Sequence, residues 1–540
     1  MTKNFSIINL EHTAQKDENL NRSLYSGVIS ELKINRLIQI KPIFSGGRMV
    51  AYDPADFITT DKDTIRHRQD IFEDLLNCDG LFELLKNTIL PAICEFSSMS
   101  GGLDTEDYYF LDKFYAVKQL KSYIDCVKKL YKSFETLPVE SKGMRLLAEK
   151  INEIYNSDEF NNLHSNTGKM STHLEKDIKS VTVGINLENG IGITNLGIVS
   201  VNEERYKPGK LLDKILGGNF TNNDPYTLQT PIVPVTGGLG HLTDEQKFQV
   251  TVSFKTAFNM FLKNSVKGVP RDISTYMKNQ TQFMVDLASE ISFLIAGYEM
   301  LTAFKNQRAS ICKPAISQTN HTYINNLYHP TLLETASYDD VICNTVSFDK
   351  NGMFYVLTGA NSGGKSVFLH SVGIAQILFQ LGMYIPANNA MLLPVDYICV
   401  HFPSETAIQG AAGRLEHECM EFNEMMKIIT AKSLILVDEA FSSTSAYDGA
   451  ALSEELIKRF AAVGCRGVFS THIHDLPIER INENAKAIIK VDTLVAVSVD
   501  GKRLYTIARQ KPDGKSHARD IAKKYGLFLD FDYIHTNLNS

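Results

Sequence analysis

The sequence predicts a carboxy-terminal α/β domain on a largely parallel sheet, preceded by a mostly α-helical region that carries a small β-rich insertion. Three observations predict it. From about Val341 to Val499, β-prone runs at Met353 to Leu357, Leu434 to Val437 and Gly467 to Ser470 alternate with helical runs at Lys365 to Leu381 and Gly449 to Val463, the pattern of parallel strands joined by crossover helices. Upstream, Val117, Leu120, Ile124, Val127, Tyr131 and Phe134 recur at spacings of three and four, the period of a helix with one buried face. Between about Val181 and Gly240 the texture changes to short β-branched runs and glycine turns, which read as strands.

Composition sets the frame for these elements. At 540 residues the chain exceeds one ordinary core, so roughly two to four domains are expected. The apolar content of 44% and charged content of 22% are those of a soluble globular protein rather than a disordered one. A net charge of −7 does not advertise nucleic-acid binding, although a local basic stripe is compatible with it. The eight cysteines form no CxxC pair, so neither a zinc site nor a disulfide framework is indicated and reduced, mostly buried thiols are expected. The amino terminus lacks the charged-then-apolar layout of a signal peptide. The most apolar stretch, Met284 to Phe304, is broken by Asp286, Glu290 and Glu299 and reads as an amphipathic helix, not a membrane span. A cytoplasmic protein without membrane partners is the expectation.

In chain order, residues 1–60 mix short apolar runs with turn signals and carry no assignable chemistry. The pattern becomes helical at 61, where Ile65, Ile71, Phe72, Leu75 and Leu76 share a broad face and Arg66 and Arg68 read as its solvated side. In the helix ending at Phe134, Lys118, Lys121, Lys128, Lys129 and Lys132 fill the other positions; they read as a solvated face, with nucleic-acid contact the minority reading. A helical body over 61–310, interrupted by the β-rich insertion at about 181–240, resumes at Asp244 and runs to Phe304. Pro314, His329 and Pro330 mark entry into the domain at 311–540, which ends in a short helix at Ala518 to Tyr525 and a tail.

The chemistry concentrates in that last domain. An apolar strand ends at Thr358, a turn follows through Gly359, Ala360, Asn361, Ser362, Gly363 and Gly364, and Lys365 and Ser366 open a long helix. Backbone N–H groups can wrap a polyphosphate only where the loop has few side chains and points at a helix N-terminus. In this phosphate-loop arrangement Lys365 neutralises the β- and γ-phosphates and the Ser366 hydroxyl joins the Mg²⁺ shell. A second strand delivers Asp438 and Glu439 at its carboxyl end, where ligands of such sheets bind. Asp438 is placed to hold Mg²⁺ and Glu439 to orient or deprotonate the attacking water. A capping role for the two carboxylates is the bland alternative. A third strand, Arg466 to Ser470, ends in Thr471 and His472, where an imidazole can sense a γ-phosphate or serve only as structure.

Together these segments resemble the ATPase domain of the MutS family, a DNA mismatch repair branch related to the ABC ATPases. TGANSGGKS is similar to the family's TGPNMGGKS, with Ala360 and Ser362 as departures. VDEAFSSTSAYDG at Val437 to Gly449 is similar to MDEIGRGTSTYDG, and STHIHDL at Ser470 to Leu476 to ATHYHEL. The segment Leu381 to Ile398 follows the family's YIGSYVPA, and the likeness spans about Tyr328 to Leu527. It implies an ABC-like P-loop ATPase domain using ATP and Mg²⁺, a lever-like and clamp-like helical region, a homodimer, DNA as ligand, and repair or recombination proteins as partners. Lys365, Glu439 and His472 are then the catalytic set, Ser366 and Asp438 the metal set, and Gly359 to Ser366 the nucleotide cradle. By alignment Val341 falls near the family's adenine-stacking phenylalanine and Arg509 near its histidine, where a guanidinium plane can stack.

Two departures from the family shape the functional expectation. The signature GRSTFMVEMTE supplies a serine to the partner subunit's ATP; aligned without gaps, Gly413 stands there, with Glu418 and Glu421 at the two glutamates, while aligning on Gly-Arg puts Leu415 there. Either way the hydroxyl is missing, so turnover is expected to be weak and ATP binding intact. The chain also shows no amino-terminal Phe-x-Glu mismatch reader and little length before the helical body to house one, so direct mismatch reading is not expected. The resemblance thus implies an ATPase whose nucleotide state moves helical arms that engage DNA. The alternatives are a nucleotide-gated scaffold with little hydrolysis that recruits proteins, and a general ABC-type ATPase unrelated to DNA.

Overall fold

The computed structural model of the chain describes residues 5–10, 18–45, 48–50, 52–97, 109–171, 180–187, 193–202, 204, 207–208, 227–228, 281–359, 363–402, 413–473, 476–483, 486–499 and 502–512. The helical run from Asp244 as far as residue 280 and the short helix at Ala518 to Tyr525 lie outside these residues, as do most of the positions between Val181 and Gly240.

The amino-terminal half is helical. Its principal elements are α1 (Lys62–Asn77), α2 (Tyr109–Phe134) and α3 (Ala288–Asn306). Asp61 caps α1 by accepting from the Thr64 N–H, which satisfies one of the donors that a first turn leaves bare. On α2 the expected stripe is turned inward: Leu120, Ile124 and Val127 are buried, Tyr131 and Phe134 pack against the same core, and Lys121, Lys129 and Lys132 are exposed. The β texture of the insertion appears as an antiparallel pair, Ser180–Leu187 with Ile193–Asn202, and a short parallel pair, Lys207–Pro208 with Thr227–Leu228.

Two expectations for this half are corrected. Arg68 does not lie on a solvated face: it is 3% exposed, with Nε donating to the Ile8 carbonyl at 3.2 Å, Nη2 to Asn9 Oδ1 at 2.7 Å, and Nη1 to the Phe57 carbonyl. Nor is α3 amphipathic. Ile291, Phe293, Leu294, Ala296, Met300 and Leu301 are buried on all sides of it. Its Glu290 is buried too, accepting from Ser6 Oγ at 2.6 Å and from the Ile7 and Ile8 N–H groups at 2.8 and 3.2 Å. Both residues escape a hydropathy reading because their partners come from residues 6–9, far away in sequence. Ile7 and Ile8 are fully buried, so this amino-terminal segment is a core element of the helical half. No helix among the described residues is long and apolar enough to cross a membrane.

The carboxy-terminal half is built on a six-stranded sheet, with β1 (Phe354–Gly359), β2 (Ile398–His401), β3 (Leu434–Asp438), β4 (Arg466–Ser470), β5 (Val491–Val499) and β6 (Lys502–Arg509) in the order β2-β3-β4-β1-β5-β6. Every pairing is parallel except that of the edge strand β6 with β5. Strands β1, β3 and β4 are buried along their whole length, which matches their continuous apolar runs and requires cover on both faces. Helix α4 (Lys365–Gln380) covers one face; α5 (Arg414–Ile428) and α6 (Ala446–Val463) cover the other. Ser445 caps α6 through the Asp448 N–H, and Gly464 at φ +85° ends it.

Helix α4 also joins the two halves. Phe379 and Leu381 belong to the same core as Ile65, Phe72 and Phe293. Just past its end, Gly382 at φ +77° lies where a Cβ would meet the Cβ of Arg68 at 2.4 Å, so the turn accepts only glycine. Around it Lys313 pairs with Asp70 at 2.7 Å and Glu73 at 2.6 Å, and Gln69 Nε2 donates to the Pro314 carbonyl at 3.0 Å. The helix that begins at the glycine-rich loop therefore ends against α1.

Candidate nucleotide site

Strand β1 closes into the loop at Gly359, whose φ is +129° and where a Cβ would stand 2.9 Å from the Cβ and carbonyl oxygen of Ala496 on β5. Only glycine permits that approach. Ala360, Asn361 and Ser362 lie outside the described residues, and the loop resumes at Gly363 and at Gly364, whose φ of +90° immediately precedes α4. The first N–H groups of α4, with the positive end of its dipole, thus open at the carboxyl end of β1. Lys365 is buried, and its Nζ donates to the Gly359 carbonyl oxygen at 3.0 Å, folding back across the loop it follows. Burial lowers its pKa, and the carboxylates of Glu439 and Asp438 act against that shift. Ser366, the next residue of α4, is exposed.

Asp438 ends β3 and is 3% exposed, yet its Oδ1 has no hydrogen-bond partner. Thr358 Oγ1 at the end of β1 and Ser470 Oγ at the end of β4 are in the same condition. The three come from adjacent strands, since Ser470 is in register with Asp438 on one side and Leu357 on the other. Buried polar atoms are almost always satisfied, and a bare carboxylate oxygen is the costliest exception. Unpartnered oxygen donors at the strand ends beside the glycine-rich loop suit a hard cation with its waters. Among the described residues no group of three or more His, Cys, Asp or Glu side chains converges on one point.

Glu439 leaves β3 at φ +50°, and its N–H donates to the Ser470 carbonyl at 3.0 Å. Its Oε1 lies 2.6 Å from His472 Nε2, so the structure brings these two predicted site residues together. Phe441, two residues on, is left-handed as well at φ +60°. Such backbone costs a residue with a Cβ roughly 1–2 kcal/mol, and its persistence at two nearby positions marks a turn held by its surroundings. Gly413 precedes the first turn of α5 and Leu415 packs against the core of that face, so no hydroxyl stands at either signature position. Glu418 is buried and accepts from the Phe441 N–H at 2.9 Å, while Glu421 pairs with His401 at 3.1 Å.

Val341 is buried beside Ile342, which is exposed. Arg509 is engaged at the other end of β1: its Nε donates to Asp492 at 2.6 Å, Nη1 lies 3.5 Å from Asp349, and the guanidinium sits 5.4 Å over the Tyr355 ring, beside Gly352. The residue of β6 that reaches the loop is Tyr505, half exposed, at φ +56° and 3.6 Å from where a Cβ of Gly364 would be. Asn344 holds that bend, with Nδ2 donating to the Tyr505 carbonyl at 3.1 Å and Oδ1 accepting from the Ile507 N–H at 2.6 Å. Sequence reasoning passed over Tyr505; an aromatic on the strand returning past the loop was the available signal.

A family model described as MutS domain V matches residues 355–527, and one described as MutS2 N-terminal domain matches residues 60–307. The chain belongs to the MutS family. Domain V, a P-loop ATPase-type domain, is thus the half that holds Lys365, Asp438 and Glu439. The DNA mismatch repair protein MutS of Staphylococcus haemolyticus is 30% identical over 205 residues, covering 38% of this chain and 22% of that protein. The Bacillus cytotoxicus MutS is 23% identical over 431 residues, 77% of this chain and 43% of its own length, so that likeness extends into the helical half. The DNA mismatch repair protein MSH6 of Arabidopsis thaliana is 28% identical over 271 residues, 48% of this chain and 20% of MSH6. The chain thus spans less than half the length of each of these relatives.

Proposed function

We propose that this chain is a Mg²⁺-dependent ATPase that works as a homodimer and couples nucleotide state to movement of helical arms that engage DNA, without reading mismatches directly. The observation that carries the reading is the buried, unpartnered Asp438 carboxylate oxygen at the carboxyl end of β3, beside a glycine-rich loop that opens α4. In this reading residues 1–60 brace a helical core and lever over 61–310 with its insertion at about 181–240, and residues 311–540 form the ABC-like ATPase domain. The protein works in the cytoplasm with repair or recombination partners.

Within the site, Gly359, Ala360, Asn361, Ser362, Gly363 and Gly364 cradle the phosphates with backbone N–H groups. Lys365 swings from the Gly359 carbonyl onto the β- and γ-phosphates, whose charge acts against the lowering of its pKa by burial. Ser366 and Asp438 hold Mg²⁺, which supplies charge neutralisation on the transferred phosphoryl group. Glu439 orients the attacking water and accepts its proton, and His472, its hydrogen-bond partner, sets the carboxylate's direction and meets the γ-phosphate. Tyr505 and Ile342 offer the base an apolar rim, Val341 supports Ile342 from within, and Arg509 holds the far end of β1.

A second reading is favoured by one observation: Gly413 and Leu415 bring no hydroxyl to the start of α5. A nucleotide-gated scaffold that binds ATP and hardly turns it over fits that loss. Steady-state phosphate release, measured with and without branched, mismatched and single-stranded DNA at low salt, separates the two. DNA-stimulated turnover supports the ATPase. Tight ATP binding with release at background supports the scaffold, and absence of any DNA binding removes the DNA arm of the proposal.

A further inference from the structure

Glu418 sits in the first turns of α5, on the face of the sheet opposite α4. It is 5% exposed, and its burial has a specific use: Oε2 accepts the Phe441 N–H at 2.9 Å, and Oε1 lies 3.4 Å from Arg414 Nε. The N–H it holds belongs to the second of the two left-handed residues that follow β3, with Glu439 the first. The Phe441 ring packs at a tilt against Phe422 of α5, centroids 5.3 Å apart, and the Phe422 ring centroid lies 4.7 Å from that of His401, itself paired with Glu421. Helix α5 thus grips the turn by its backbone and its ring together.

A left-handed turn of side-chain-bearing residues persists only where something outside it satisfies its backbone. Here the N–H of Glu439 is held by Ser470 from β4, and the N–H of Phe441 is held by Glu418 from α5. Remove the second anchor and a buried N–H is left bare, which favours relaxation of Phe441 to ordinary φ and swings the Glu439 carboxylate away from His472.

We infer that Glu418 is a positioning residue for hydrolysis: by accepting the Phe441 N–H it fixes the left-handed turn that aims Glu439, so that the start of α5 controls the direction of the water-activating carboxylate. This rests on the ATPase reading above. It makes the loss of a hydroxyl at Gly413 compatible with turnover, because α5 acts within its own subunit through Glu418.

The test uses the full chain with three proteins: wild type, Glu418→Ala and Glu418→Gln. Steady-state phosphate release gives kcat and KM, and fluorescence titration with a nucleotide analogue gives affinity. Glu418→Ala is expected to lower kcat about tenfold or more with affinity within about twofold. Glu418→Gln, whose amide oxygen still accepts the N–H, is expected to keep at least about half of kcat. Unchanged kcat in Glu418→Ala overturns the inference, and so does a parallel loss of kcat and affinity in both variants, which marks a merely structural residue. A wild-type chain with no turnover overturns the ATPase reading itself and this inference with it, so the two failures are told apart by the wild-type lane alone.

Discussion

The Nε2 of His472 lies 2.6 Å from Oε1 of Glu439, an ion-pair distance between the ends of two adjacent strands. The carboxylate is thereby aimed by a group from β4's end, and Glu439→Gln keeps that shape while losing the capacity to take a proton. The variant should turn over ATP about 100-fold or more slowly while still binding it, since general-base assistance contributes typically in that range. Single-turnover hydrolysis beside retention of labelled ATP on a filter reads both. Turnover at the wild-type rate would remove Glu439 from the mechanism.

Lys365 makes the complementary case, because its ammonium is buried against the loop and rests on the Gly359 carbonyl. Lys365→Ala removes a charge placed to meet the γ-phosphate, and charge-assisted hydrogen bonds of this kind are worth about 1.5–3 kcal/mol. ATP affinity should fall roughly 10- to 100-fold. Isothermal titration with ATP and Mg²⁺ decides the matter, and an unchanged dissociation constant would count against the cradle.

How much of this was legible beforehand follows from where each residue's partners lie. The strands ending at Gly359, Asp438 and Ser470 could be read because a wholly buried parallel strand is a continuous apolar run, and the loop because its glycines precede a helix. Arg68 and Glu290 could not, since burial of a charge depends on acceptors and donors from residues 6–9, more than fifty positions away for Arg68. Alignment places Arg509 near the family's base-contacting histidine and carries no information about Asp349 and Asp492, which pair with its guanidinium. Tyr505 reaches the loop through a left-handed bend that Asn344 fixes from another sheet.

That contrast between Tyr505 and Arg509 is itself testable. Tyr505 stands against Gly364 with half its surface exposed, so truncation removes an aromatic face from the base side of the loop. Tyr505→Ala should weaken ATP binding about tenfold, in line with roughly 1–3 kcal/mol for a base stacked on an aromatic ring, with little change in kcat. Arg509→Ala should leave affinity within about twofold and instead lower the melting temperature, because it strips partners from Asp492 and Asp349. Nucleotide titration and thermal melts of the two variants, run side by side, would reveal a reversed pattern if the base lay against Arg509.

Arg68 is a buried, hydrogen-bonded anchor of the helical half. Its pKa is lowered to about 10 by burial, with Glu290 and Asp61 opposing the shift. Arg68→Ala would leave the buried Glu290 without its nearby cation and three backbone or side-chain acceptors without a donor. Leaving buried acceptors without a donor costs about 1–3 kcal/mol each, so the variant should unfold at markedly lower urea. Proteolysis should then begin near residues 5–10, whose Ile7 and Ile8 depend on this network. Cleavage first elsewhere, at wild-type urea midpoints, would contradict it.

His329 predicts a pH dependence with a defined sign. It opens the Pro330–Glu334 turn, and its Nδ1 accepts from the Thr331 N–H at 3.3 Å, which requires the neutral ring. Burial, with His370 and then Lys33 adding to it, lowers its pKa from 6.5 to about 4. A histidine whose folded pKa lies below its unfolded value binds fewer protons folded than unfolded in that interval. Its contribution to stability is therefore fully present above about pH 6.5 and is lost as pH falls toward 4. Carboxylates also weaken the fold in acid, so the discriminating quantity is a difference. His329→Asn keeps a capping oxygen and does not titrate, so urea midpoints of wild type and variant should converge between pH 7 and pH 4. A gap that stays constant across that interval would mean the ring does not take up its proton on unfolding.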